Sequence, residues 1–442
     1  MATAAPHRTA PVTNRSETSA IDPKQLAADY RQVRASTEAL AQDLSAEDQN
    51  LQSAPFASPA KWHRAHTTWF FETFVLKPHS PSWKPSSPEW NYLFNSYYNG
   101  VGRQYPRPQR GLISRPDIHE VAAWRRRVDR AVLALIENPP AIGFTALADL
   151  VRLGLNHEQQ HQELLVTDIK HGFSKNPLHP AWHRSRQPAR HGSAPLRWIK
   201  FDGRTASIGM PDDGRFCYDN EQPRHRQIVE PFELASRPVT CGEFLEFMRD
   251  GGYEDPNLWL SDGWRWLKEN SIQAPLYWQH TDKGWKIHTP GGLQALDPAE
   301  ALAHISFYEA AAFAHWAGAR LPTEAEWETA ATSRAGPPGP TADDGRLHPA
   351  ASCPDQGESD KNRLADMLGN VWEWTASSYL PYPGYKAPAG AIGEYNGKFM
   401  ANQMVLRGGS CATPLGHIRP TYRNFFYPPD RWQFTGLRLA RH

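Results

Sequence analysis

Two histidines, His157 and His161, stand four residues apart in His157-Glu158-Gln159-Gln160-His161, inside the strongly helical stretch Ala146 to His171. At 3.6 residues per turn, positions i and i+4 share a face, so both imidazoles can grip one metal ion. A third ligand is needed. Trp62-His63-Arg64-Ala65-His66 offers two more imidazoles at i and i+3, one able to point inward while the other lies nearer the edge. Three histidines leave coordination positions open, as a catalytic metal requires.

Glu158 occupies the place of the general base in His-Glu-x-x-His zinc proteases. The extended form of that motif wants glycine at 164 and histidine at 167, where this chain has Leu164 and Thr167, and no downstream glutamate ligand stands out. Glu163 follows His161 by two residues, about 200° around the helix, which suits a supporting or structural role better than ligation. With 19 histidines in the chain, a paired spacing arises by chance often enough that the pair alone decides nothing.

The elements that must position these residues are legible by period. Lys24 to Leu51 carries Leu26, Tyr30, Val33, Leu40 and Leu44 on one stripe. Trp62 to Leu76 is predicted as a second helix, with Ser58 as cap and Pro59 in its first turn. Ile118 to Glu137 repeats Val121, Trp124, Val128, Val132 and Leu135 at helical spacing, and Ala146 to His171 makes a fourth helix. Residues 78–115 form a long irregular excursion between the second and third. Four long helices of this kind predict a bundle, a setting in which facing helices build metal sites.

After a flexible tail over 1–23 and the bundle over 24–173, a Pro-, His- and Ser-rich linker is expected at 174–197. Residues 198–442 read as an α+β domain, with helices expected near Cys241–Arg249, Ser306–Ala317 and Thr323–Ser333. The last begins with a capping box, Thr323 as cap and Glu326 three residues in.

Composition excludes several classes. Net charge is +1, which gives no electrostatic case for nucleic acid or an anionic membrane. No stretch approaches 18 consecutive apolar residues, and the first twenty residues lack the apolar core of a signal peptide. Four cysteines without CxxC spacing read as reduced thiols, so a soluble cytoplasmic protein is expected.

Taken together, Trp62 to His66 followed by His157 to Glu163 resembles the DinB-like four-helix domain of the EgtB family, the sulfoxide synthases of ergothioneine biosynthesis. Leu321-Pro322-Thr323-Glu324-Ala325-Glu326-Trp327-Glu328, Gly369-Asn370-Val371-Trp372-Glu373-Trp374, Arg407-Gly408-Gly409-Ser410 and Gly436-Leu437-Arg438 resemble the formylglycine-generating-enzyme (FGE-sulfatase), or C-type-lectin-like, domain that follows it in that family. The resemblance implies one non-haem Fe(II) held by His66, His157 and His161. It implies a reaction in which O₂ couples the thiol of cysteine or γ-glutamylcysteine to the imidazole C2 of hercynine, with oxidation of the sulfur to a sulfoxide. Neutral imidazoles suit Fe(II).

By the same resemblance, Tyr97 and Tyr98 on the excursion supply a proton or electron, with Tyr382 as a competitor for that role. Arg107 and Arg110 bind the thiol's carboxylate, as guanidinium forks do well. Gln160 and Asn424 contact hercynine, and Phe425 and Phe426 offer aromatic faces to its quaternary ammonium. One departure stands out. Where γ-glutamylcysteine-using members carry an acidic residue and, four further on, an arginine, this chain has Phe426 and Asp430, which points to free cysteine, or to both thiols. Competing readings are an ovothiol-type synthase acting on histidine, a zinc hydrolase using Glu158, and a non-enzymatic binding protein.

Overall fold

The computed structural model describes residues 21–139, 143–183, 192–352 and 362–442. Residues 1–20 of the tail expected over 1–23, the middle of the expected linker (184–191) and Cys353 lie outside the described residues.

Four helices, numbered here α1 (Pro23–Ala41), α2 (Ala60–Phe70), α3 (Ile118–Glu137) and α4 (Phe144–Ser174), form the bundle. The third matches its expected bounds, because Asp117 and Glu120 close a capping box at its start. Val121, Trp124, Val128 and Val132 are buried along it, but Ile136 rather than Leu135 completes the stripe. The first helix is shorter than its apolar period suggests. It ends at Ala41, and a separate short helix, Ala46–Asn50, restarts behind a Ser45–Asp48 capping box. Local capping outweighs the continuing stripe there.

Pro59, not Ser58, takes the cap position of α2, and no side chain caps that end. Ser58 is instead committed to Asp168 and Arg110. Beyond Phe70 the helix widens into a π-helical turn, Phe71–Leu76, a feature often found near functional sites. The excursion is less irregular than expected, holding a helix at Pro88–Phe94 and a 3-10 turn at Arg107–Leu112.

Where α2 crosses α4, Gly154 touches Phe71 and Phe70. A Cβ added there would lie 2.6 Å from the Phe71 ring. Gly154→Ala is therefore expected to destabilise the bundle by about 1–3 kcal/mol, the usual cost of overpacking a filled core. Urea unfolding of the two proteins measures it, and equal midpoints would show that the rings yield freely.

The second half is sheet-rich. Its central sheet runs Asn424–Phe426, Met404–Arg407, Trp372–Ser378 and Thr435–Gly436, with the last pair parallel and the others antiparallel. A three-stranded sheet joins Trp198–Phe201, Phe232–Ala235 and Ala440–Arg441, bringing the chain's end back beside the start of the domain. The three expected helices form at Cys241–Arg249, Phe307–Trp316 and Glu324–Arg334, the last behind the Thr323–Glu326 box. A fourth, Ser261–Glu269, was hidden by its Gly- and Trp-rich text.

The motifs that carried the family resemblance are core ion networks. Glu324 and Glu328 accept from Arg407, Glu324 also from Arg423, and Glu373 accepts from Arg438 and from Trp327 Nε1. Gly408 (φ +102°) needs its glycine, since a Cβ would sit 2.7 Å from the Met367 carbonyl.

The halves dock along α4. Glu163 Oε1 accepts from Trp372 Nε1 at 2.7 Å and Ser410 Oγ at 2.6 Å, and its Oε2 from Thr413 Oγ1 at 2.9 Å. This matches the supporting role its angle on the helix suggested. Among the described residues no helix is long and apolar enough to cross a membrane.

Candidate metal centre

Helix α4 presents His157 and His161 on one face, and α2 brings His66 opposite them. Among the described residues these form the one group of three or more metal-binding side chains whose ligand atoms all lie within 4.8 Å of one another. The i+3 ambiguity on α2 is thereby resolved in favour of His66. Its Nδ1–H donates to the Phe94 carbonyl at 2.6 Å, which fixes the tautomer and turns Nε2 to the centre. That carbonyl belongs to the last turn of Pro88–Phe94, where helix carbonyls lack internal partners. His66 Nε2 lies 3.1 Å from His157 Nε2. Trp62 and Trp69 stack on the His66 ring, at 4.6 and 5.4 Å.

Burial keeps all three rings neutral. It pushes His157 down to about 3, against the pull of Glu158. It drives His66 and His161 well below the ordinary histidine value, with the neighbouring imidazoles adding to the effect. Three neutral, converging imidazoles are the donor set a divalent transition metal takes, and the residues present fit one.

Glu158 cannot serve as the base of a zinc hydrolase. It points away from the centre and is fully buried between Arg34 (2.7 Å), Thr37 (2.6 Å) and Arg125. Burial opposes its ionisation, but the guanidiniums of Arg125 and Arg34 outweigh it and bring it to about 2.

The remaining candidates divide. Gln160 borders the centre, its Nε2 donating to Tyr422 Oη at 2.7 Å while Tyr395 Oη donates to its Oε1. Tyr97 stacks on Tyr98 at 4.6 Å and meets Tyr395 edge-on at 6.2 Å, and Tyr395 in turn meets the His157 ring at 5.7 Å. Tyr98 packs on Trp69. Tyr382 lies elsewhere, donating to Glu324 in the second domain's ion network.

Arg110 is buried, lies 3.4 Å over the Trp62 ring, and donates to Ser58 Oγ at 2.9 Å, while its Nε has no protein partner. Burial and the adjacent Arg107 make its charge costly, and the Asp168 carboxylate beyond Ser58 offsets this only in part. Arg107 is exposed.

Asn424, Phe425 and Phe426 form one strand. Asn424 Oδ1 accepts from Phe425 N. Successive strand residues face opposite sides. Phe425 stacks on Tyr379 at 4.0 Å and reaches Tyr97 through Phe399, whereas Phe426 packs on Trp432 at 5.3 Å. The structure does not bring these two rings to one wall.

Three tyrosines from the second half escaped sequence reasoning. Tyr218 stacks on Tyr395 at 5.5 Å and meets Tyr422 at 5.5 Å, which puts aromatic faces beside Gln160. Nothing in their spacing could have found them. His63 and Asp168 were findable: Asp168 is seven residues beyond His161, on the same helix face.

Residues 29–165 match the DinB superfamily, and residues 201–442 match the sulfatase-modifying factor enzyme 1-like domain. The chain is 30% identical over 439 residues to a hercynine oxygenase of Mycobacterium tuberculosis, covering 95% of this chain and 99% of that protein. It is 29% identical over 432 residues to a hercynine oxygenase of Mycolicibacterium smegmatis, covering 88% and 92%. Its second half is similar to a formylglycine-generating enzyme of Mycobacterium tuberculosis, 30% identical over 261 residues, 47% of this chain and 86% of that one.

Proposed function

The chain belongs to the hercynine oxygenase family, and from that membership we propose that its three-histidine centre takes Fe(II) for sulfoxide synthesis in ergothioneine biosynthesis. The protein is an oxygenase enzyme acting on small molecules. The proposed acceptor is hercynine and the proposed donor is cysteine or γ-glutamylcysteine. In net terms the imidazole C2–H and the thiol S–H are lost and a C–S bond forms. One oxygen atom of O₂ stays on sulfur and the other leaves as water. The observation that carries this reading is the convergence of three buried, neutral imidazoles beside a buried guanidinium that makes no ion pair among the described residues.

Iron bound there supplies redox chemistry and open positions for thiolate and O₂. The protein's own groups do the rest. Arg110 takes the thiol's carboxylate, gaining the anion its burial calls for. Tyr218, Tyr395 and Tyr422 turn aromatic faces toward the trimethylammonium of hercynine, and Gln160, held by two of their hydroxyls, orients it. Asn424 is the second proposed hercynine contact, and Phe425 lies behind Phe399 and Tyr97. Tyr97 and Tyr98 serve as the proton source, Tyr98 packed on Trp69 and Tyr97 edge-on to Tyr395, which in turn meets the His157 ring. Three unpaired thiols, Cys217, Cys241 and Cys411, fit a cytoplasmic setting.

Asp430 bears on the choice of thiol. Burial pushes its carboxyl up to about 6, against the Tyr427 backbone N–H that donates to it and the pull of Arg107. Above that pH it is an anion that attracts the ammonium of free cysteine and repels the additional carboxylate of γ-glutamylcysteine. Asp430→Asn is expected to lower the ratio of kcat/KM for cysteine over γ-glutamylcysteine by about tenfold, the worth of roughly 1.4 kcal/mol. A wild-type preference for γ-glutamylcysteine would contradict the assignment.

The reaction itself is tested by anaerobic loading with Fe(II), addition of hercynine and either thiol, admission of air, and mass spectrometry of the product. A C2 sulfoxide adduct is expected. An adduct formed with histidine alone would move the reading to ovothiol-type chemistry, and no O₂ uptake with either acceptor would end it.

A further inference from the structure

His63 and Asp168 have no part in the ligand set or in the substrate contacts, yet they stand in line behind His161. His161 Nδ1 lies 2.8 Å from His63 Nδ1, and His63 Nε2 lies 3.1 Å from Asp168 Oδ2. The same carboxylate oxygen accepts the Ser58 backbone N–H at 2.7 Å. Both side chains are buried, His63 at 2% and Asp168 at 6% exposure, so bulk water does not compete for these bonds.

The proton positions along this line follow from chemistry. His66 and His157 present Nε2 to the centre, and the engagement of Nδ1 leaves His161 its Nε2 as well. A neutral imidazole that ligates through Nε2 carries its proton on Nδ1. His63 Nδ1 must then accept, which puts the His63 proton on Nε2, where it donates to a group that can only accept. The carboxylate at the end therefore sets the direction of every bond before it.

We propose that His63 and Asp168 are positioning residues, which lock the tautomer and ring orientation of His161 and strengthen it as a metal ligand. The proposal rests on the reading of His66, His157 and His161 as a metal centre. Outer partners of this kind usually hold a ligating histidine directly. Here a second histidine is interposed, because His161 and Asp168 stand two turns apart on α4 and the facing α2 supplies a ring that spans them, three residues before His66. The device links two helices. Asp168 shares α4 with His161, but the bond runs out through α2 and back, so the ring is held from both sides of the bundle. Ser58 closes the line at its far end, since its hydroxyl accepts from Arg110 while its N–H holds Asp168.

The test uses the full-length metal-free protein titrated with Co(II), whose visible d–d bands report ligand geometry, with Fe(II) affinity read by chelator competition. Asp168→Asn keeps the side chain's shape, and His63→Leu removes the acceptor. Each is expected to weaken Co(II) binding by about 10- to 100-fold and to shift the d–d bands, which a merely structural role would not do. His63→Asn places an amide oxygen near the former Nδ1 and should recover part of the loss. If His63→Leu does not fold, Asp168→Asn and His63→Asn decide the matter between them. Wild-type affinity and bands in both would overturn the proposal while leaving the metal reading intact. A wild-type protein that binds no Co(II), or a His66→Ala variant that binds it equally well, would overturn the metal reading and this proposal together.

Discussion

His157→Ala should leave the protein folded but without oxygenase activity. Two imidazoles remain, and the ring lost is the one whose Nε2 lies 3.1 Å from His66 Nε2. Loss of an outer partner typically costs 10–100-fold in metal affinity or activity, so loss of a direct ligand should exceed about a hundredfold and approach complete loss at ordinary iron concentrations. All three rings are held neutral by burial and so are ready donors as they stand, which makes each removal a direct loss of one donor. Metal content per chain and O₂ uptake with both substrates measure the effect together. Full iron occupancy with undiminished uptake would show that the chemistry lies elsewhere.

Glu158→Gln should act on stability, by about 3–5 kcal/mol, the cost of stripping one partner from a buried ion cluster. Arg34 and Arg125 would each face a neutral amide in a space sealed from water. The pH dependence has a definite sign. The folded value of about 2 lies below the ordinary carboxylate value of 4.5. The carboxylate's stabilisation is therefore complete above about pH 4.5 and is lost as pH falls toward 2. In the variant that stretch of the acid-unfolding curve should flatten. Chemical denaturation across pH 2 to 7 makes the comparison. A variant as stable as wild type but inactive would instead revive a catalytic role for this carboxylate.

Period and capping made the bundle legible. The α3 bounds and the Thr323 cap could be read from the sequence because each depends on residues within one turn. The candidate metal ligands were legible for the same reason on α4, while spacing alone left His63 and His66 open and only the family resemblance named His66, because a partner on another element makes the choice: Phe94 for one ring, His161 and Asp168 for the other. The break after Ala41 was missed because the apolar stripe carries on through it. The tyrosines around Gln160 were invisible for a deeper reason. Tyr422 lies 262 positions from Gln160 and Tyr395 lies 235 from it, and no periodicity reaches across a domain boundary. Adjacent Phe425 and Phe426 misled in the opposite sense, since neighbours in sequence on a strand are strangers in space.

Helix α4 has work on every side: imidazoles toward α2, Glu158 toward α1 and α3, Glu163 and Lys170 toward the second domain. From Leu165 to Phe173 its side chains are buried without a break. An ordinary amphipathic helix accepts almost any polar residue on one strip, so its permissible substitutions recur every three or four positions. Along this span that rhythm should vanish. A library that randomised each position in turn would return a nearly flat record of intolerance. Drift in a lineage would have to accumulate on the other three helices and the first turns of this one, with the span from Leu165 to Phe173 inherited almost whole.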